Sequence, residues 1–70
     1  MDKALLRAAM ARNEETQEEL AKALSLATSA VSARINGRTD FRASEIQEII
    51  RRYKLTPEET NDIFFNKHAS

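Results

Sequence analysis

Apolar and polar positions alternate along the chain with the period of helices, and the pattern divides into five short ones. In the first, over about residues 3–13, Leu5, Leu6, Ala9 and Met10 form one apolar stripe. Asp2 is placed to cap its start and Asn13 to end it in the left-handed region. The second, about 17–24, opens on Thr16 followed by Glu19, the spacing of a capping box, and turns Leu20, Ala21 and Leu24 inward. After Ser25-Leu26-Ala27 a third helix is predicted over about 28–36. Val31 and Ile35 lie one turn apart on its inner side, and Asn36-Gly37 closes it. Residues 38–42 read as a loop with Phe41 as its apolar anchor. The fourth helix, about 43–53, has the cleanest period, with Ile46, Ile49, Ile50 and Tyr53 at i, i+3, i+4 and i+7. The fifth, about 57–66, starts at Thr56-Pro57-Glu58-Glu59, where a cap, a proline and first-turn acids coincide. It carries Ile63, Phe64 and Phe65, and residues 66–70 are expected to fray.

The expected architecture is therefore a compact all-α domain of five helices, a single domain over residues 1–70 with no linker, repeat or low-complexity segment to divide it. Composition agrees with that: one Gly and one Pro in 70 residues leave few breakers, and Ala, Leu, Glu, Lys and Arg predominate. With no cysteine, neither a disulfide framework nor a thiolate zinc site is available. A chain this short must then rely on helix packing or oligomerisation, and a homodimer is one expected form. No apolar run approaches the roughly 20 residues that span a bilayer. The start, Met1-Asp2-Lys3, does not read as a signal peptide. No membrane role is expected, and an intracellular location is the default.

Charge changes the picture more than composition does. Eleven basic residues balance eleven acidic ones, which is unusual for a nucleic-acid-binding domain, where a basic face supplies most of the non-specific affinity. The balance conceals an asymmetry. Residues 28–42 set Arg34, Arg38 and Arg42 against Asp40, whereas residues 56–70 set Lys67 against Glu58, Glu59 and Asp62.

The second and third helices with the turn between them, residues 16–36, have the properties of a helix-turn-helix: two short helices, a tight turn, and a second helix with small or polar outward side chains. Ala21 is small where the helices would cross, Leu26 anchors the turn, and Thr28, Ser29, Ser32 and Ala33 face outward. Thr16-Gln17-Glu18-Glu19-Leu20-Ala21 resembles the T-Q-x-x-L-A of the phage repressor/Cro family. Val31-Ser32-Ala33-Arg34-Ile35-Asn36-Gly37 resembles the V-S-x-R-[IL]-N-G that ends the recognition helix of its small phage members. The resemblance covers about residues 4–54. It implies a DNA-binding transcriptional regulator of a lysis/lysogeny-like switch, with the third helix in the major groove of double-stranded operator DNA. Thr28, Ser29, Ser32 and Ala33 would face bases. Gln17, Arg38, Thr39 and Arg42 would contact phosphate, and Arg34 is placed with them.

Two departures bear on function. Ser25 stands where the family's turn usually has Gly, and Ala27 where it usually has Ser, so the turn must hold Ser25 in a strained conformation or change shape. The base-facing set also lacks Arg, Gln, Asn and Lys, the residues whose bidentate contacts are worth about 1–3 kcal/mol each. That favours a second reading on the same scaffold. Some small temperate-phage proteins that this chain resembles, including modulators of repression from phages of Gram-positive bacteria, act as anti-repressors by pairing with the phage's own repressor. Glu14, Glu15, Glu18 and Phe65 are the expected partner surface for that role. Arg51, Arg52 and Lys54 are expected to form a solvated face, with Glu48 paired to Arg52.

Catalysis is not expected. His68 has no second His or Cys beside it, Ser25, Ser29 and Ser32 have no base partner, and one Gly cannot build a phosphate-cradling loop. No enzyme activity, metal, cofactor or small-molecule substrate is anticipated.

Overall fold

The computed structural model describes residues 1–65, and all regular structure in them is helical. Helix α1 spans Lys3–Arg12, α2 Gln17–Leu24, α3 Thr28–Ile35, α4 Ala43–Tyr53 and α5 Pro57–Thr60. A π-type turn, Asn61–Phe65, continues α5, so the fifth helix expected over 57–66 changes hand-hold after one turn. Position 66, the expected fraying of 66–70, Lys67 and His68 lie outside the described residues. No helix among the described residues is long and apolar enough to cross a membrane.

The starts of the helices follow local chemistry. The Asp2 carboxylate accepts from the Leu5 N–H at 3.0 Å. Thr16 and Glu19 form the anticipated capping box, at 3.1 Å and 2.9 Å. Thr56 and Glu59 form a second one, at 3.0 Å and 2.9 Å, with Pro57 in the first helical position.

The ends share one device. Glu14, Ser25, Gly37 and Lys54 all take positive φ, at 52°, 57°, 80° and 52°. Each sits just past a helix, where a left-handed residue lets the next N–H reach back five residues to a free helical carbonyl. Those reach-back bonds are Glu15 N–H to Met10 O, Leu26 to Ala21, Arg38 to Ala33 and Leu55 to Ile50, at 2.8–3.1 Å. The left-handed residue after α1 is thus Glu14, not Asn13, whose side-chain amide instead donates to Ala9 O at 2.7 Å.

Burial follows most of the apolar stripes, but Ile46, expected on the inner side of α4, is only half-buried. Leu6, Leu20, Val31 and Ile49 are fully buried, with Ala9, Met10, Ala21, Ile35, Tyr53, Leu55 and Ile63 around them. Leu5, expected on the inner stripe of α1, is 43% exposed. It lies one residue from Leu6, about 100° around the helix, and Leu6 takes the inward direction. Phe41 packs edge-on against Phe64, with ring centroids 6.0 Å apart, and so anchors the 38–42 loop to the core as expected. The first residues are joined to the last turn by the Asp2 N–H, which donates to Ile63 O at 2.7 Å.

One polar cluster crosses the domain. Tyr53 donates its hydroxyl to Glu15 at 2.6 Å, and the guanidinium of Arg52 pairs with the same carboxylate. Arg52 is therefore tied to the turn after α1, and Glu48 pairs with Arg51 instead of the expected Arg52. Burial pushes the Glu15 carboxyl up, but the hydrogen bonds from Arg52 and Tyr53 and the charge of Arg52 outweigh it, leaving its pKa below the ordinary value. Burial, then the bond to Glu15, pushes the Tyr53 hydroxyl up.

Two measurements follow. A lowered folded pKa means that Glu15 contributes stability above its unfolded pKa, and the contribution is lost as pH falls through the folded value. Thermal melts below about pH 4.5 should therefore show a smaller acid-induced loss in Glu15→Gln than in the parent. Ser25→Gly removes the strain of a side chain at positive φ. The gain should exceed the entropy that glycine adds to the unfolded chain, by about 0.5–1 kcal/mol. The midpoint of thermal unfolding should rise by about 4 °C; an unchanged or lower midpoint would show that the Ser25 side chain stabilises the turn.

Candidate helix-turn-helix surface

Only Ser25, Leu26 and Ala27 separate α2 from α3. The turn needs Ser25 in the left-handed conformation, φ 57° and ψ 42°, which is the strained alternative the sequence raised. Leu26 folds back onto the core while its N–H bonds Ala21 O at 2.8 Å. Leu20 and Ala21 of α2 then meet Val31 and Ile35 of α3 in the core, and the small Ala21 side chain allows a close approach. Ala27 occupies the cap position of α3 with extended backbone and supplies no side-chain bond. Thr28 is already helical.

The outward side of α3 carries Thr28 and Ser29, both exposed, and Ser32 and Ala33, both half-buried. These four residues share one face. Asn36, exposed just beyond the helix, extends it: its amide donates to the Ser32 hydroxyl at 3.3 Å. Composition alone did not assign Asn36 to this surface, because its neighbour Gly37 marks the pair as a helix terminator.

The loop beyond α3 is tied to the helix by backbone. The N–H groups of Arg38 and Thr39 both donate to Ala33 O, at 2.9 Å and 3.4 Å. The side chains of Arg38, Thr39 and Arg42 remain exposed. Neither Arg38 nor Arg42 pairs with an acidic side chain among the described residues. Gln17 sits half-buried in the first position of α2, where backbone N–H groups suit an anion. Glu18 and Glu19 share that first turn and oppose one.

Arg34 is not on the outward surface where it was expected beside Arg38 and Arg42. Its side chain is 9% exposed and bidentate on Glu45, with Nε to Oε1 at 2.9 Å and Nη2 to Oε2 at 3.3 Å, and Nη1 donates to Ala30 O at 3.2 Å. It lies on the inner side of α3 beside Val31 and Ile35, so its charge is spent inside the protein. Glu15 is likewise no free partner surface, since its carboxylate, 8% exposed, is occupied by Arg52 and Tyr53. Glu14 and Glu18 are exposed as expected, and Phe65 is 57% exposed. The sequence offered no local signal for either buried pairing, because the partners lie 11 and 37–38 residues apart.

A family model described as a protein of unknown function (DUF739) matches residues 2–67. No curated protein and no solved structure matches the chain.

The uncapped start of α3 gives a direct check on the turn. Ala27 already has the extended backbone of a cap residue, so Ala27→Ser should stabilise the domain by about 1 kcal/mol. Chemical denaturation should show a higher midpoint at unchanged slope.

Proposed function

The chain belongs to the DUF739 family, and from its surface we propose that it is a phage-type transcriptional regulator that binds operator DNA with α3 in the major groove. The observation that carries this reading is the continuity of one surface. The short outward row of α3 passes directly into a loop whose two arginines, Arg38 and Arg42, are exposed and have no acidic partner among the described residues. In such an arrangement Thr28, Ser29, Ser32 and Ala33 approach base edges, and Gln17, Arg38, Thr39 and Arg42 hold phosphates. Hydroxyls and methyls of this size read thymine methyl groups or act through water. The reading places the protein in the cytoplasm of a bacterial host, acting in a lysis/lysogeny-like switch, and a dimer would set two α3 helices about one helical turn apart.

A second reading has its own support. With Arg34 internal, the surface has lost one of its expected basic contacts. The first turn of α2 carries Glu18 and Glu19, and Glu14 is exposed beside it. Those carboxylates repel phosphate and suit a basic protein, which favours an anti-repressor that occupies the DNA-reading surface of a phage repressor.

Fluorescence anisotropy against the neighbouring intergenic DNA, with and without the neighbouring repressor and over a salt series, separates the two. Sequence-selective binding by the chain alone, weakening steeply with salt, supports operator binding. No binding alone, with a stable complex on adding the repressor, replaces it with the second reading. In the first case Arg38→Ala with Arg42→Ala should weaken binding across all sequences and lower the salt slope by about 2.

A further inference from the structure

We infer that Arg34 and Glu45 form a positioning pair, which sets the rotation of α3 and the course of the 36–42 loop so that both present one surface. The side chains are each 9% exposed, and no polar side-chain atom buried with them lacks a partner. The Glu45 carboxylate does three things at once. It takes the Arg34 fork, it accepts the Arg42 N–H at 2.9 Å through Oε1, and it sits in the first turn of α4, where a negative charge suits the helix dipole. A single carboxylate thus joins the end of α3, the far end of the loop and the start of α4. Arg34 is fixed in turn: its Nη1 holds Ala30 O, and its own carbonyl accepts from Gly37 N–H at 3.2 Å.

The core-packing contacts of α3 are of a different kind. Val31 and Ile35 bury apolar surface, which opposes separation of the helices but has no direction of its own. A bidentate guanidinium–carboxylate contact is directional and resists rotation and sliding. Stability alone does not call for it, because a well-packed apolar pair of similar volume often serves as well as a buried ion pair or better. Backbone bonds to Ala33 O already hold Arg38 and Thr39; what an apolar pair would not supply is the anchor that fixes Arg42 and the far end of the loop relative to the outward row of α3. The functional part of this inference rests on the operator-binding reading; the positional part does not.

The test uses the full chain as Arg34→Met with Glu45→Met, and as Glu45→Gln alone. Thermal melting, amide hydrogen exchange and binding to a duplex that the parent selects from a random pool are measured on each. The double variant should melt within a few degrees of the parent. Exchange at Gly37, Arg38 and Thr39 should accelerate at least tenfold, while exchange in α1 stays as it was. Affinity for the selected duplex should fall at least tenfold. Should the double variant fail to fold, faster exchange at the same three amides in Glu45→Gln supports the pair, and parental exchange there overturns it. Parental exchange and affinity in a folded double variant also overturn it. Faster exchange with parental affinity overturns the link to binding. If the parent selects no duplex, the operator reading falls, and exchange alone decides whether the pair positions the loop.

Discussion

The reversal between α2 and α3 is the constraint on which the rest of the domain depends. Three residues must turn the chain sharply enough for α3 to cross under α2, and one of them must adopt a left-handed backbone to do so. Once Ser25 takes that conformation, the Leu26 N–H reaches Ala21 O, and the Leu26 side chain falls onto the core. The crossing then brings Leu20 and Val31 to full burial, and the outward row of α3 is whatever remains on the opposite side. Fold and candidate surface are two consequences of one turn.

Charge is distributed in a way that net charge conceals. Arg34 is consumed by Glu45, Arg52 by Glu15, Arg12 by Glu59 and Arg51 by Glu48. The first two pairs join segments far apart in sequence and sit partly or wholly out of water. The other two lie on the surface, where such contacts contribute little. After these pairings, Arg38 and Arg42 stand at one edge of α3, while Glu14 and Glu18 stand near the start of α2.

Most of the fold was legible because its determinants are local. The capping boxes at Thr16 and Thr56, the helical period of Ile46, Ile49, Ile50 and Tyr53, and the Gly37 terminus are written within one to three turns of helix. The outward set on α3 follows from the same periodicity. The errors cluster where a side chain's fate depends on a distant partner. Arg34 looks like a surface arginine until α4 brings Glu45 beneath it, and Glu15 looks like part of an acidic patch until Arg52 and Tyr53 arrive from α4. Glu45 stands one turn before Ile49, at the flank of the inner face of α4, but its charge marks it as a surface residue until Arg34 is known to meet it. Periodicity identifies an inward apolar residue; it does not identify an inward charge, because that requires knowing its counter-ion.

The four left-handed helix ends have a consequence for how long such a chain survives. Only Gly37 occupies such a position without a side chain; Glu14, Ser25 and Lys54 hold theirs at a cost in conformational energy. In a domain of this size every kilocalorie withheld raises the unfolded fraction roughly fivefold. Where opening and closing are fast, a protease attacks in proportion to that fraction. The three positions lie in separate turns, so their contributions are close to independent. Turnover of the protein can therefore be adjusted in small steps at its helix ends, leaving the packed interior and the outward row of α3 untouched.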